Sequence, residues 1–390
     1  MTLLYTEVEE ELRAAVRDLL ADRCSPSAVL GRVESGVESG TPYDVELWKT
    51  LARDIGVAGL LVPEELGGAA SGAGGASARE AAVVLEELGR AVAPVPYLSS
   101  AVLATQALLA AWGTAGGEVA GELLGRLAAG EATAALAVPF AASPYAPPAP
   151  AASLSEDGTV TGSVGGVIGA EIADVLLVPV RLTRGTALCA VEAPPAGAVR
   201  VAPVTSLDLT RPIATVSFAS APARVVATAG GPETPWVREA LLRGAGLLAS
   251  EQLGIAEWCL ATTVAYVRER RQFARPVGSF QAVKHRLADL WLEIAGARAA
   301  ARNAAARLAE TPVAGDATVA VAVAVAQAHC GAVAVHAAEE CVQLHGGIGM
   351  TWEHPAHLYL KRAKADQIAL GTPGDHREAL AGPADLPAPV

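Results

Sequence analysis

From the start of the chain to about residue 130, apolar positions recur at helical spacing with acidic and basic residues on the outer faces, a pattern that predicts several helices. From about 131 to 228 the period shortens. The runs ATAALAVPF, TVTGSV, ADVLLVPVR, TALCAVEA and ATVSFASAPARVV read as strands separated by Gly, Pro and Asp turns. Ala142 to Ala152, ASPYAPPAPAA, is too rich in proline for a strand and is expected as a surface loop. From 229 to 390 helical periodicity returns. The expected fold class is therefore α+β in three parts: an N-terminal helical domain over 1–130, a middle β domain over 131–228 and C-terminal helices over 229–390.

Composition narrows this picture. Hydrophobic residues make up 52% of the 390 and aromatic ones only 4%, so the core is built from Ala, Leu and Val, which favours close-packed helices. A net charge of −12 with no basic stripe argues against a nucleic-acid partner. The run Ala317 to Val335 reaches the length of a membrane span only if Gln327 and His329 are ignored, so a buried helix and no membrane are expected. The opening MTLLYTEVEEELRAAVRDLL is acidic and amphipathic, unlike a secretory leader, and a cytoplasmic location is expected. Five cysteines without a CxxC pair read as reduced and structural. The seven histidines show no ligand spacing, so no metal is expected.

Two stretches carry chemistry. In QLHGGIG, Gly346, Gly347 and Gly349 end an apolar helical run. Backbone N–H groups free of side chains suit close approach to a phosphate or ribose, with Gln343 and His345 adding hydrogen bonds. Alone, such a turn is more often an ordinary helix end with no ligand. The second stretch, YVRERRQFARPVGSFQAVKHRLADLW over 266–291, alone reads as helix, loop and helix.

Together the two stretches closely resemble the acyl-CoA dehydrogenase family, in which R-x-x-F, a short loop and F-Q-A-V-x-H-x-L-A-D form one segment. The resemblance extends to ELWKTLARDIGVAGLLVPEELGG, VVLEELGRAVAPVPY and TVTGSVGGVIGAEIADVLLVPV, and to HLYLKRAKADQIALGTPGDHREALA in an actinobacterial form. It implies an N-terminal helical domain, a middle β-barrel or sandwich and a C-terminal four-helix bundle. It also implies FAD as cofactor, an acyl-CoA thioester as substrate and electron-transfer flavoprotein as electron acceptor. The net negative charge does not conflict with a CoA substrate, because a local Arg or Lys cluster is enough.

The same resemblance implies a site divided between subunits. In the family one subunit cradles the isoalloxazine and its neighbour reaches over with an Arg, a Phe, Gln residues and the Gly-Gly turn. That second set is present as Arg270, Phe273, Gln281, Gln343, Gly346 and Gly347, with Gln272, Phe280 and Thr372 as further expected cofactor contacts. The first set is damaged: the family's T-E-P-x-x-G-S-D loop is matched by AVPFAASPYAPPAPAAS, and its W-I-T-N element by Val167, Ile168, Gly169 and Ala170.

The catalytic carboxylate is missing too. Dehydrogenation removes a weakly acidic α proton, and a buried carboxylate whose proton affinity is raised by desolvation is the usual base. Aligned on its Gly-Thr, the family's Y-E-G-T motif places Ala369 and Leu370 at the Tyr and Glu. The base position used by other members, about seven helical turns before Arg270, falls near Gly244. Of the acids nearby, Glu251 reads as a helix residue facing a basic neighbour and Asp366 as a surface charge. No residue of this chain is assigned a catalytic role. The expectation is the subunit that lacks the catalytic Glu in an α2β2 acyl-CoA dehydrogenase, completing the FAD site of a homologous catalytic partner. Open alternatives are a homotetrameric dehydrogenase with a non-standard base, a flavin monooxygenase on the same fold and a flavin-free structural subunit.

Overall fold

The computed structural model describes residues 3–39, 43–71, 75–114, 117–192, 197–311 and 315–384. Six α-helices come first among these: α1 (Glu7–Arg23), α2 (Pro26–Ser39), α3 (Val45–Lys49), α4 (Ala78–Ala91), α5 (Thr105–Trp112) and α6 (Glu118–Ala128). Reciprocal capping boxes start two of them, Thr6 with Glu9 at α1 and Ser77 with Glu80 at α4.

Eight strands follow: β1 (Ala134–Leu136), β2 (Ala152–Leu154), β3 (Thr159–Ile168), β4 (Val175–Arg181), β5 (Thr186–Glu192), β6 (Val199–Val204), β7 (Ile213–Pro222) and β8 (Arg224–Ala229). They form one sheet in the order β6-β7-β3-β2-β4-β5-β8, with β1 parallel to β4. The apolar runs of β4 and β5 are buried on both faces. Leu176, Val178, Ala187 and Cys189 fill the sheet's own core, while the alternate residues Val175, Leu177, Leu188 and Ala190 join the helical core. The proline-rich segment forms a loop as expected, except that its last residue, Ala152, already opens β2. β2 and β6 have no counterpart among the predicted strands; both are short or half-exposed.

Helices return with α7 (Pro235–Glu269), α8 (Gln281–Glu310), α9 (Ala317–His345), α10 (Ala356–Ile368) and α11 (Pro373–Ala379). Helix α9 and the turn after it are long and apolar enough to cross a membrane, with a mean hydropathy of 1.8. Most of that window is buried, as a core helix packed on α7, α8 and α10 requires. Helices α4 and α7 cross at two glycines: a methyl group on Gly89 would overlap the Glu251 carbonyl, and one on Gly254 the Glu86 carbonyl. This crossing fixes the middle of α7, where Gly244 and Glu251 sit. Its far end fixes the cleft described next.

Candidate functional site

Helix α7 ends at Arg270, whose N–H still donates to the Tyr266 carbonyl. The chain then makes a two-rung hairpin, with β9 (Arg271–Gln272) paired to β10 (Arg275–Pro276). Both turn residues are left-handed, Phe273 at φ 51° and Ala274 at φ 60°, in a position that favours Asn-Gly. The turn carries Phe273 outward, 85% exposed. The Arg275 guanidinium lies 3.8 Å over the ring of Phe280. On the facing side α9 terminates at His345, and Gly346 turns the chain with φ 64° and ψ −138°. Side-chain atoms at Gly346 or Gly347 would meet nothing within 4 Å, so both present open backbone, whereas a methyl at Gly349 would crowd the Val342 carbonyl.

Between these segments lies a cleft of about 710 Å³ lined by Tyr266, Arg270, Gln272, Phe273, Phe280, Gln343, His345, Gly346 and Gly347, among others. Seven of the nine residues expected to bind a cofactor therefore converge here from two separate stretches. Gln281 stands exposed in the first turn of α8, outside the lining. Thr372 lies elsewhere and caps α11, its hydroxyl accepting from the Asp375 N–H at 3.2 Å. Tyr266 was not anticipated. Its ring stacks on His345 at 4.4 Å, and His345 in turn meets His354 at 4.3 Å. Its position one helical turn before Arg270 was the available signal, since residues four apart share a helix face.

The residues present fit a dinucleotide lying against this surface. An arginine with no carboxylate partner among the described ion pairs, two amide side chains and an open Gly-Gly backbone supply donors for phosphate and ribose, and aromatic rings supply the walls.

The position expected for the catalytic carboxylate is different in character. Leu370 is fully buried, with a left-handed φ of 54°, and its N–H donates to the Phe140 carbonyl at 2.8 Å. Its Cδ1 lies 3.3 Å from where a side chain on Gly244 would begin, and Leu103 fills the same spot from the other side. The two base positions implied by the family resemblance thus meet at one point, and apolar atoms occupy it. A latch holds the segment closed. His376 donates from Nε2 to the Leu370 carbonyl at 3.2 Å, which leaves Nδ1 to accept from the Tyr145 hydroxyl at 2.8 Å. Burial pushes the His376 imidazole down to about 4, so it stays neutral.

The neighbouring acids are committed elsewhere. Glu251 is buried and receives bonds from Arg211 at 2.5 and 2.7 Å and from Arg362 at 2.6 Å, in line with a helix residue satisfied by a basic neighbour. Asp366 is not the surface charge that its sequence context suggested: it is 0% exposed and accepts from Arg211 at 2.6 Å. Arg362 also donates to Asp208 and Thr210, each at 2.5 Å. Three carboxylates thus face two guanidinium groups in a closed space. Burial, and then the Glu251 charge, raise the Asp366 carboxyl to about 8.

That shift gives a pH dependence of stability. A folded-state value above the unfolded one means that Asp366 contributes its full stability below about pH 4 and has lost it once pH passes about 8. Asp366→Asn removes this loss. Relative to the natural chain, the variant is expected to gain on the order of 1 kcal/mol per pH unit between pH 5 and 7.5 in urea unfolding. Parallel pH profiles would show that the proton resides elsewhere.

Residues 6–131 match the acyl-CoA dehydrogenase N-terminal domain and residues 234–382 the acyl-CoA dehydrogenase C-terminal domain. The chain belongs to the acyl-CoA dehydrogenase family, a family of flavin-dependent oxidoreductases. It is 36% identical over 375 residues to the acyl-CoA dehydrogenase IpdE2 of Mycobacterium tuberculosis, covering 96% of this chain and 95% of that one. Among solved structures it is similar to the ChsE4-ChsE5 complex from Mycobacterium tuberculosis, at 30% identity and a TM-score of 0.83 with both chains fully covered. It is also similar to the Tcur3481-Tcur3483 steroid ACAD in its G363A variant, at 28% identity and a TM-score of 0.79, with 97% and 99% covered.

Proposed function

We propose that this chain is the non-catalytic subunit of a heteromeric acyl-CoA dehydrogenase, and that it closes the FAD site of a homologous subunit bearing the carboxylate. The observation that carries this reading is the contact of Leu370 with Gly244 and Leu103: both base positions are apolar and filled, while the cleft around Arg270 remains open. Bound FAD would accept the β hydride of the thioester. The residues of this chain have other tasks: Arg270 to hold the pyrophosphate, Gln343 and the Gly346–Gly347 backbone to donate to the dinucleotide, and Phe273 and Phe280 to exclude water. The α proton goes to the partner's carboxylate.

Two further observations support a partner. Trp291 and Leu292 on α8, Ile348 at the cleft, and Met350 and Trp352 beyond the glycine turn are large apolar side chains left exposed by the single chain. The similar structures each join two differently named proteins, as the ChsE4-ChsE5 complex and the Tcur3481-Tcur3483 steroid ACAD. The steroid chemistry of the second favours a bulky polycyclic acyl-CoA as substrate, with electron-transfer flavoprotein taking the electrons. Since this chain lacks the hydroxyl side chains of the family's own flavin-cradling loop, each pair of unlike subunits holds one flavin on this reading.

The test is the visible spectrum of the chain alone and of its complex with a homologous carboxylate-bearing subunit, before and after anaerobic addition of acyl-CoA thioesters. The reading expects one FAD per two chains in the complex, bleached by thioester, and no thioester-dependent bleaching of the isolated chain. A self-sufficient chain that bleaches would overturn it.

A further inference from the structure

A second cavity, of about 570 Å³, shares no lining residue with the cleft. It lies where the segment between α3 and α4 meets α5, the start of α7 and the end of α8. Much of its wall is apolar: Leu61 and Pro63 from the segment, Leu109 and Ala110 from α5, Pro235 from α7 and Leu308 from α8. Gln106 of α5 stands among them. It is 7% exposed, yet its side-chain amide has no hydrogen-bond partner among the described residues. The other buried glutamines are engaged: Gln252 donates to the Gln327 side-chain oxygen at 3.2 Å, and Gln327 to the Ala245 carbonyl at 2.5 Å. Native folds rarely keep a buried amide without a partner, so the space that Gln106 lines calls for one.

The charges on the wall narrow what that partner is. Arg243 is 8% exposed and donates from Nε to Glu239 at 2.5 Å, from one terminal nitrogen to the Leu308 carbonyl at 3.4 Å and from the other to the Thr311 carbonyl at 3.0 Å. A guanidinium has five N–H groups, so two remain, and with the two of the Gln106 amide they make the wall rich in donors. Glu239 lines the same cavity and cancels the arginine's charge. Donors without net charge suit a neutral acceptor, above all a carbonyl oxygen. A carboxylate would face Glu239 as a like charge.

We infer that this cavity is a second ligand site, which takes a neutral and largely apolar molecule whose carbonyl oxygen accepts from the Gln106 amide. Its volume falls in the range of small-molecule sites, roughly 300–1,000 Å³, and a mostly apolar lining with a few placed polar groups is their usual make-up. Two of its lining residues neighbour the filled base position in the chain: Gln106 lies three residues beyond Leu103, and Arg243 immediately precedes Gly244. The ligand therefore sits beside the segments that close that position and outside the cleft around Arg270. The site does not depend on whether the chain shares a flavin.

The probe is benzophenone, a neutral apolar ketone that attaches to neighbouring C–H bonds on irradiation. The natural full-length chain is irradiated at increasing benzophenone concentrations and its peptides are mapped. Saturable labelling is expected within residues 61–78 and in α5. Diphenylmethane, of similar shape but without the carbonyl, should compete only at concentrations roughly 3- to 10-fold above the ketone's own half-saturation, the worth of one net hydrogen bond. The carboxylate-bearing 4-benzoylbenzoate should label these segments more weakly. Gln106→Leu should raise the half-saturating concentration by the same factor without lowering the unfolding temperature, since the amide it removes has no partner, and Ala110→Phe should abolish the labelling by filling the cavity. The inference is overturned if these segments of the natural chain show no saturable labelling, if diphenylmethane competes as well as the ketone binds, if 4-benzoylbenzoate labels as strongly, or if labelling persists undiminished in both folded variants. The mapping and the competition use the natural chain, so a variant that fails to fold does not obscure them. No flavin enters the measurement, and its failure would leave the cofactor reading standing.

Discussion

Arg362→Leu is expected to cost the folded chain about 3–5 kcal/mol, the usual penalty for removing one member of a buried ion pair. The side chain is 1% exposed, and its guanidinium serves Asp208, Thr210 and Glu251 together. Leucine fills much of the same volume but leaves Asp208 with no cation bonded to it, in a space that water does not reach. Glu251 keeps Arg211, so the loss concentrates on the loop before β7. Against a total stability of roughly 5–15 kcal/mol for a typical domain, this shifts the urea midpoint far down or prevents folding. Arg362→Lys keeps the charge but not the fork, and should fall between the two. The account also predicts that Asp208→Asn, added to Arg362→Leu, recovers part of the loss. Strict additivity of the two changes would mean that the pair is not coupled as described.

If the site is shared as proposed, Arg270→Ala should lower the affinity of the complex for FAD by roughly 10- to 100-fold, the loss of one charge-assisted hydrogen bond at about 1.5–3 kcal/mol. The chain's fold should not change, because Arg270 caps α7 through its backbone N–H and its side chain makes none of the described ion pairs. Arg286→Ala is the control. That arginine stands one turn into α8 and is paired with Glu340, outside the cleft, so its removal should leave flavin content alone. The measurement is FAD per complex after gel filtration, with the unfolding temperature followed in parallel. Unchanged flavin content in the Arg270 variant would count against a shared site.

What could be read from the amino-acid sequence divides by distance along the chain. The cleft was largely legible because its residues come from two short contiguous stretches, 270–281 and 343–347, each shaped by local rules: a helix end, a tight turn and open glycines. The order of helices, strands and helices was legible from periodicity for the same reason. The ion network was not. Arg211 lies 40 residues from Glu251 and 155 from Asp366, and nothing near any of the three announces the others. Asp366 in LKRAKADQI has the look of a solvated helix face, and only the packing of α10 against α7 and the loop before β7 buries it. The convergence of Gly244 and Leu370 lay between these cases. Motif spacing points to each position separately, and only the fold brings them into contact.

The contact between Leu103, Gly244 and Leu370 also bears on reversibility. A glutamate introduced at position 370 by a single change would sit in the apolar space that Leu370 now fills near Gly244, on a backbone held left-handed and tied to Phe140. It would meet no thioester there, and burial would keep it protonated. On the proposed reading, regaining turnover would require Leu103 to retreat, the Tyr145–His376 contact to open and a flavin cradle to be rebuilt, all in the same molecule. On the proposed division of labour, each step taken alone is without benefit, so dependence on a second subunit would be held in place by packing.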